Sequence, residues 1–253
     1  MKTAQKIILT VIYALITFGY IALSVWIMWR ETGDSSLIST KYQLLFAIMK
    51  IVSFLTASAF HELGHALFGL FSRVHARLSA KSVLTIFSTS SVEVIPKTDK
   101  KIKRRMIATT LGGLVINLLF IVIGILALTV PQIPSWLSGI AVYNLVLFLF
   151  NISPLEYNSG KSDGLVICEL IKNEDSAKVM LAVLTVQAQV LNGKPIKEVE
   201  EKLLFDLPQI QEDEPAFISL TELRAEYFAA KGDTANAQKY KSRFEQLKKD
   251  YLN

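Results

Sequence analysis

The chain has 253 residues and a single cysteine, Cys168. A disulfide framework within the chain is thereby excluded, and so is a cysteine-rich zinc site. Histidine is nearly as scarce, with three in all. Charge is missing over two long reaches: no Asp, Glu, Lys or Arg occurs at 7–29 or at 106–155. An uncharged apolar run of about 18 or more residues is long enough to cross a bilayer. The first reach also lacks a small-residue cleavage site and ends on Trp26, Met28 and Trp29. It is expected to be a retained span and not a signal peptide.

What is present fits a membrane protein. Hydrophobic residues make up 51% of the chain, and the mean hydropathy is +0.39. The pattern predicts an all-α polytopic membrane protein with about four transmembrane helices, at 7–28, 43–71, 107–130 and 136–152. Pro131 and Pro134 separate the last two. A net charge of +5 lies beside the spans, where topology and the lipid bilayer explain it better than nucleic acid. Segment 72–105 holds nine Lys or Arg against Glu93 and Asp99, so it is expected on the cytoplasmic side. Alternation then puts both termini inside and the loops around Asp34 and Pro131 outside.

Within the basic segment, 81–87 and 92–95 are rich in β-branched residues and are separated by Ser and Thr at 88–91. That pattern predicts a small β-hairpin after the second span. Beyond Lys172 charges of both signs appear, which predicts a helical cytoplasmic domain at 172–253 following a membrane domain at 1–171. Segment 179–191 reads as a packed or interfacial helix. Ala237, Tyr240, Phe244, Leu247 and Tyr251 recur at helical spacing, with Gly232 placed to end one helix and Asp233 to cap the next. The pair at 216–252 reads as an ordinary amphipathic helical hairpin; it resembles a single tetratricopeptide-like unit, one repeat being too few to identify that family, and a cytoplasmic protein partner is an expected use of its surface.

The chemistry gathers in the second span. His61-Glu62-Leu63-Gly64-His65 is an H-E-x-x-H motif. Residues four apart share a helix face, so both imidazoles can hold one Zn²⁺. Glu62 projects about 100° around the helix from His61 and can act as general base toward a water that zinc acidifies. Three ionisable groups in an apolar span cost about 3 kcal/mol each, or more, unless partnered, and a metal ion partners them. His75 lies in the basic segment and is read as a surface or interfacial residue. A catalytic zinc needs a third protein ligand and an open position. Acids near the same depth are Asp163 and Glu156; Gly164 and the apolar run after it favour Asp163.

Three separated motifs in one order now resemble the site-2 proteases, which are intramembrane zinc metalloproteases. HELGH is the first. Gly112-Gly113-Leu114-Val115-Ile116-Asn117 is similar to the family's Gly-Pro/Gly-x-x-x-Asn element. Asn151-Ile152-Ser153-Pro154 with Ser162-Asp163-Gly164 is similar to its Asn-x-x-Pro and Asp-Gly element. The likeness covers about 43–170. It implies His61, His65 and Asp163 as zinc ligands and Glu62 as the catalytic carboxylate. Asn117 and Asn151 would bind substrate or steady the site, and the hairpin would offer an edge to an extended substrate. The interval from Pro154 to Asp163 is longer than the common pattern, Ser162 stands where Leu is usual, and Leu165 replaces a frequent second Gly. No PDZ-like insert is apparent.

The expected activity is cleavage of peptide bonds in membrane-anchored proteins, or in signal or leader peptides, near the cytoplasmic leaflet. By resemblance the enzyme belongs to a bacterial plasma membrane. Two other readings stay open. One is a membrane-attached zincin acting on soluble peptides, with Glu156 or Glu169 as third ligand. The other is a non-catalytic scaffold or peptide-export accessory whose metal only joins helices. Lys50 is read as reaching out along its span toward the surface, and Asn144 as bonding a neighbouring helix.

Overall fold

A run without charge has nothing to gain from water, and helix formation satisfies its backbone internally. In the computed structural model, which describes residues 3–32, 36–77, 93–157 and 160–251, these runs are helices. Helix α1 is Thr3–Thr32 and α2 is Ser36–Phe71. Strands β1 (Val74–Arg77) and β2 (Glu93–Pro96) pair in a two-stranded sheet. Helix α3 is Ile102–Thr129; a 3-10 turn at Ser135–Ile140 leads into α4, Ala141–Ile152. A short antiparallel ribbon follows, β3 (Glu156–Tyr157) with β4 (Gly160–Lys161). The remaining helices are α5 (Asp163–Lys172), α6 (Asp175–Leu191), α7 (Lys202–Phe205), α8 (Pro215–Lys231) and α9 (Thr234–Tyr251).

Four stretches are long and apolar enough to cross a membrane: Lys6–Glu31, Thr40–Phe71, Ile102–Thr129 and Ser135–Ile152. Their side chains are distributed as lipid requires. Leu15 is 67% exposed and Phe18 69%. Ser53, His61, Glu62, His65, Asn117 and Asn144 are buried. Apolar residues outside and polar residues inside invert the order of a soluble protein. The architecture is that of a mainly helical, membrane-associated protein. Of the expected hairpin, 81–87 lies outside the described residues. Residues 93–95 fall in β2, whose partner is β1.

The chain divides into two compact units. The first comprises Met1–Phe68, Arg77–Glu93 and Thr109–Leu165. Here α2 meets α3 backbone to backbone. A Cβ on Gly64 would strike the carbonyl of Gly112, and one on Gly112 would strike that of Gly64. Small residues permit this approach between apolar helices. Helix α1 packs through Met28 against Phe46 and Val142, and the Tyr20 hydroxyl donates to Ser138 O at 3.0 Å. Lower on α1, Tyr13 hydrogen-bonds Ser153, and Lys6 Nζ donates to Glu156 O at 2.6 Å.

The second unit comprises Gly69–Ala76, Val94–Ala108 and Val166–Asn253. It draws in the start of α3 because Ile102 and Met106 pack with Leu170, Ala177 and Leu184. Its main core joins Val179, Val183 and Val186 of α6 to Leu204, Leu220, Leu223 and Tyr227. Pro215 opens α8, and Gly232 ends it in the left-handed conformation at φ +80°. Such a φ costs glycine nothing and other residues something. Asp233 caps α9 by accepting the Asn236 N–H at 3.1 Å, and Phe228 stacks on Tyr240 with ring centroids 5.6 Å apart.

Candidate metal centre

Helical spacing puts His61 and His65 on one face of α2, and that face meets Gly113 of α3. A Cβ on Gly113 would lie 2.6 Å from both His61 Cε1 and His65 Nε2. The absence of that atom leaves room for the two rings. They stand at 87° to each other, centroids 4.7 Å apart. Asp163 begins α5 and brings its carboxylate to the same point. The three groups offer ligand atoms that all lie within 4.8 Å of one another.

Each ring is oriented through Nδ1. His65 Nδ1 lies 3.0 Å from Thr109 O, a carbonyl that can only accept, so Nδ1 carries the proton. The Gly113 N–H also points to this nitrogen, from a longer 3.4 Å. His61 Nδ1 lies 2.6 Å from Asn117 Oδ1. With both protons on Nδ1, both Nε2 atoms present lone pairs, and they face each other at 3.2 Å. Asp163 Oδ2 is 3.3 Å from one and 3.5 Å from the other, yet it receives no hydrogen bond. Without a proton between them these three atoms would repel in a medium of low dielectric, and a divalent cation at their centre would turn that repulsion into ligation. Size agrees as well: a tetrahedral zinc with bonds of about 2.0–2.1 Å sets its ligands about 3.3–3.4 Å apart. The donors therefore fit a divalent metal ion.

The third ligand depends on local structure around Ser162. Its hydroxyl donates to Ser153 O at 2.5 Å and accepts the Leu155 N–H at 2.9 Å. It also accepts the Leu165 N–H at 3.2 Å, which makes it the N-cap of α5. The longer interval before Asp163 is thus folded into the β3–β4 ribbon, and Ser162 closes it. Gly164 completes the approach, since a Cβ there would collide with the carbonyl of Ile152 at the end of α4.

The other named residues divide clearly. Glu62 is buried beside the ligands on α2, 6% exposed. Asn117 reaches His61. Asn151 lies near the end of α4, and its side chain makes no hydrogen bond to the cluster among the described residues. Glu156 is exposed. Neither it nor Glu169 joins His61 and His65 in a metal-binding group among the described residues. His75 stands in β1. Lys50 sets its ammonium 5.0 Å from the Phe46 ring centroid. Gly113 and Ser162 lie within the motifs quoted above, which give neither of them a task, and Thr109 O depends on a contact that no motif encodes.

Comparison of the chain with protein-family models, with curated proteins and with solved structures returned no match.

Proposed function

We propose that the chain is an intramembrane zinc metalloprotease of the site-2 type, with His61, His65 and Asp163 as ligands and Glu62 as general base and acid. The observation that carries this reading is the convergence of two imidazole Nε2 atoms and a carboxylate oxygen at 3.2, 3.3 and 3.5 Å, with a buried glutamate next to the first ligand. A metal that only joined helices would have no use for Glu62, and a buried carboxylate without a task is costly.

When bound, zinc supplies a Lewis acid that acidifies water and polarises a carbonyl. The protein's own groups do the rest. A Glu62 carboxylate oxygen takes a proton from water as the water oxygen adds to the scissile carbonyl carbon. The C–N bond then breaks, and Glu62 returns the proton to the departing nitrogen. One water is consumed, and the carboxylate ends as it began. His61 and His65 stay fixed through Asn117 and Thr109 O, so little reorganisation accompanies the reaction.

The substrate class follows from location. A site in apolar helices meets segments already in the bilayer, such as membrane-anchored proteins or remnants of signal and leader peptides. The chain spans the membrane several times with both termini in the cytoplasm, as its basic 72–105 segment implies. Cleavage takes place toward that leaflet of a bacterial cell membrane, and the tail helices bind a cytoplasmic partner.

The test compares peptides released from membranes containing the parent with those containing Glu62→Gln. Glu62→Gln should retain zinc and lose about 10²–10⁴-fold in cleavage rate. Equal processing by parent and variant contradicts the hydrolytic role.

A further inference from the structure

A line of buried amides runs from His61 away from the metal centre, and its direction is fixed at the far end. Asn117 Oδ1 is 2.6 Å from His61 Nδ1. Asn117 Nδ2 donates to Asn144 Oδ1 at 2.8 Å. Asn144 Nδ2 donates to Ile140 O at 2.9 Å. Ser53 of α2 donates its hydroxyl to the same carbonyl at 2.7 Å and accepts the Tyr143 N–H at 3.2 Å. Ser53 and Asn117 are fully buried, and Asn144 is 1% exposed. Asn144 belongs to none of the three motifs, and helix adhesion alone would account for its burial.

The polarity of this line says more. An amide can be turned end for end, exchanging its oxygen and nitrogen. Ile140 O is a backbone carbonyl and can only accept. It therefore obliges Asn144 to present its NH₂ there and its oxygen to Asn117. An oxygen facing it would repel, so Asn117 turns its own NH₂ toward Asn144. Its oxygen is then left for His61, whose Nδ1 must donate. The proton is held on Nδ1, and Nε2 keeps its lone pair for a ligand bond.

We propose that Asn144 is a positioning residue of the metal centre: through Asn117 it fixes the tautomer of His61, with Ile140 O setting the sense of the relay. This rests on the metal-centre reading above. It also assigns Asn117 an inward task, with both ends of its amide engaged inside the protein, in place of a grip on substrate.

The experiment uses the full chain in detergent and two readouts. Zinc affinity is measured by competition with a chelator for the parent, for Asn144→Leu and for Asn117→Asp/Asn144→Leu. Losing a group that orients a ligand weakens metal binding about 10–100-fold, and that loss is expected for Asn144→Leu. An aspartate at 117 offers His61 an oxygen whichever way it turns, so the double variant should recover most of the loss. A packing defect would not be repaired by that change. The second readout is the nitrogen NMR spectrum of ¹⁵N-histidine-labelled, zinc-stripped parent, taken above the pH at which the His61 ring is seen to lose its charge, with His61 identified by its disappearance in His61→Gln. A single Nδ1–H tautomer is expected. Parent-like zinc affinity in Asn144→Leu overturns the relay. So does a loss that Asn117→Asp leaves unrepaired, and so does an Nε2–H signal from His61. Failure of the parent to take up zinc overturns the metal reading instead, and the spectrum still judges the relay.

Discussion

At the scale of the residue, HELGH sets two imidazoles and a carboxylate close together on α2, because four-residue spacing on a helix is a local property. Asp163 is a different case. It lies about a hundred residues away, and only the fold brings its oxygen to 3.3 Å from His61 Nε2. Asn144 was less legible still, since its task depends on which carbonyl lies across from it. Gly113 tests the geometry directly. A methyl group there would sit 2.6 Å from both imidazoles, and the close approach of the two helices at Gly64 and Gly112 is what brings it there. Gly113→Ala is expected to lower zinc affinity at least tenfold while the helical content stays at the parent's value, with overpacking costing about 1–3 kcal/mol. Chelator competition and circular dichroism together check it; unchanged affinity would show that the rings do not rest on this glycine.

At the scale of the element, apolar runs without charge became the helices they predicted, because in lipid a helix is the one local way to satisfy every amide. The starts and ends were harder to read. The fourth span begins as a 3-10 turn at Ser135–Ile140 before becoming α-helical, after Pro131 and Pro134 interrupt the backbone pairing. In the tail, caps were readable from Gly232 and Asp233, since each acts on its immediate neighbours. Long-range charge effects were not readable. Burial raises the carboxyl of Glu222 above its ordinary range; Glu226 and Glu245 add to this, and Lys248 opposes it. A carboxyl raised in the fold makes the folded state less stable once ionised, and the penalty disappears as pH falls below the ordinary carboxyl range. Glu222→Gln should therefore increase the amide-exchange protection of α8 and α9 over the parent at about pH 7. It should make no difference at about pH 3, below the ordinary glutamate range. Glu201 has the opposite sign. Its hydrogen bond from Lys231, then that from Tyr227, lowers its carboxyl, so its contribution is present at neutral pH and lost on acidification. A protection gain for Glu222→Gln that persists unchanged at the acid pH would contradict the assignment.

At the scale of the molecule, one distribution of residues accounts for most of what the chain is. Apolar side chains such as Leu15 and Phe18 face outward from the spans, where lipid solvates them. Polar groups are turned inward, where each must find a partner. Hydroxyls, amides and imidazoles meet that requirement by bonding one another, from Ser53 through Asn144 and Asn117 to His61. The line ends on three ligand atoms placed where they could share one cation. Everything proposed for this protein starts from that cation.

The most direct measurement is the metal content of the full chain purified in detergent without added metal, beside His61→Ala and Asp163→Ala. About one zinc per chain is expected in the parent, and loss of most of it in each variant, since a tetrahedral site that gives up one of three protein ligands binds far more weakly. A parent that neither carries zinc nor binds it on addition would contradict the account.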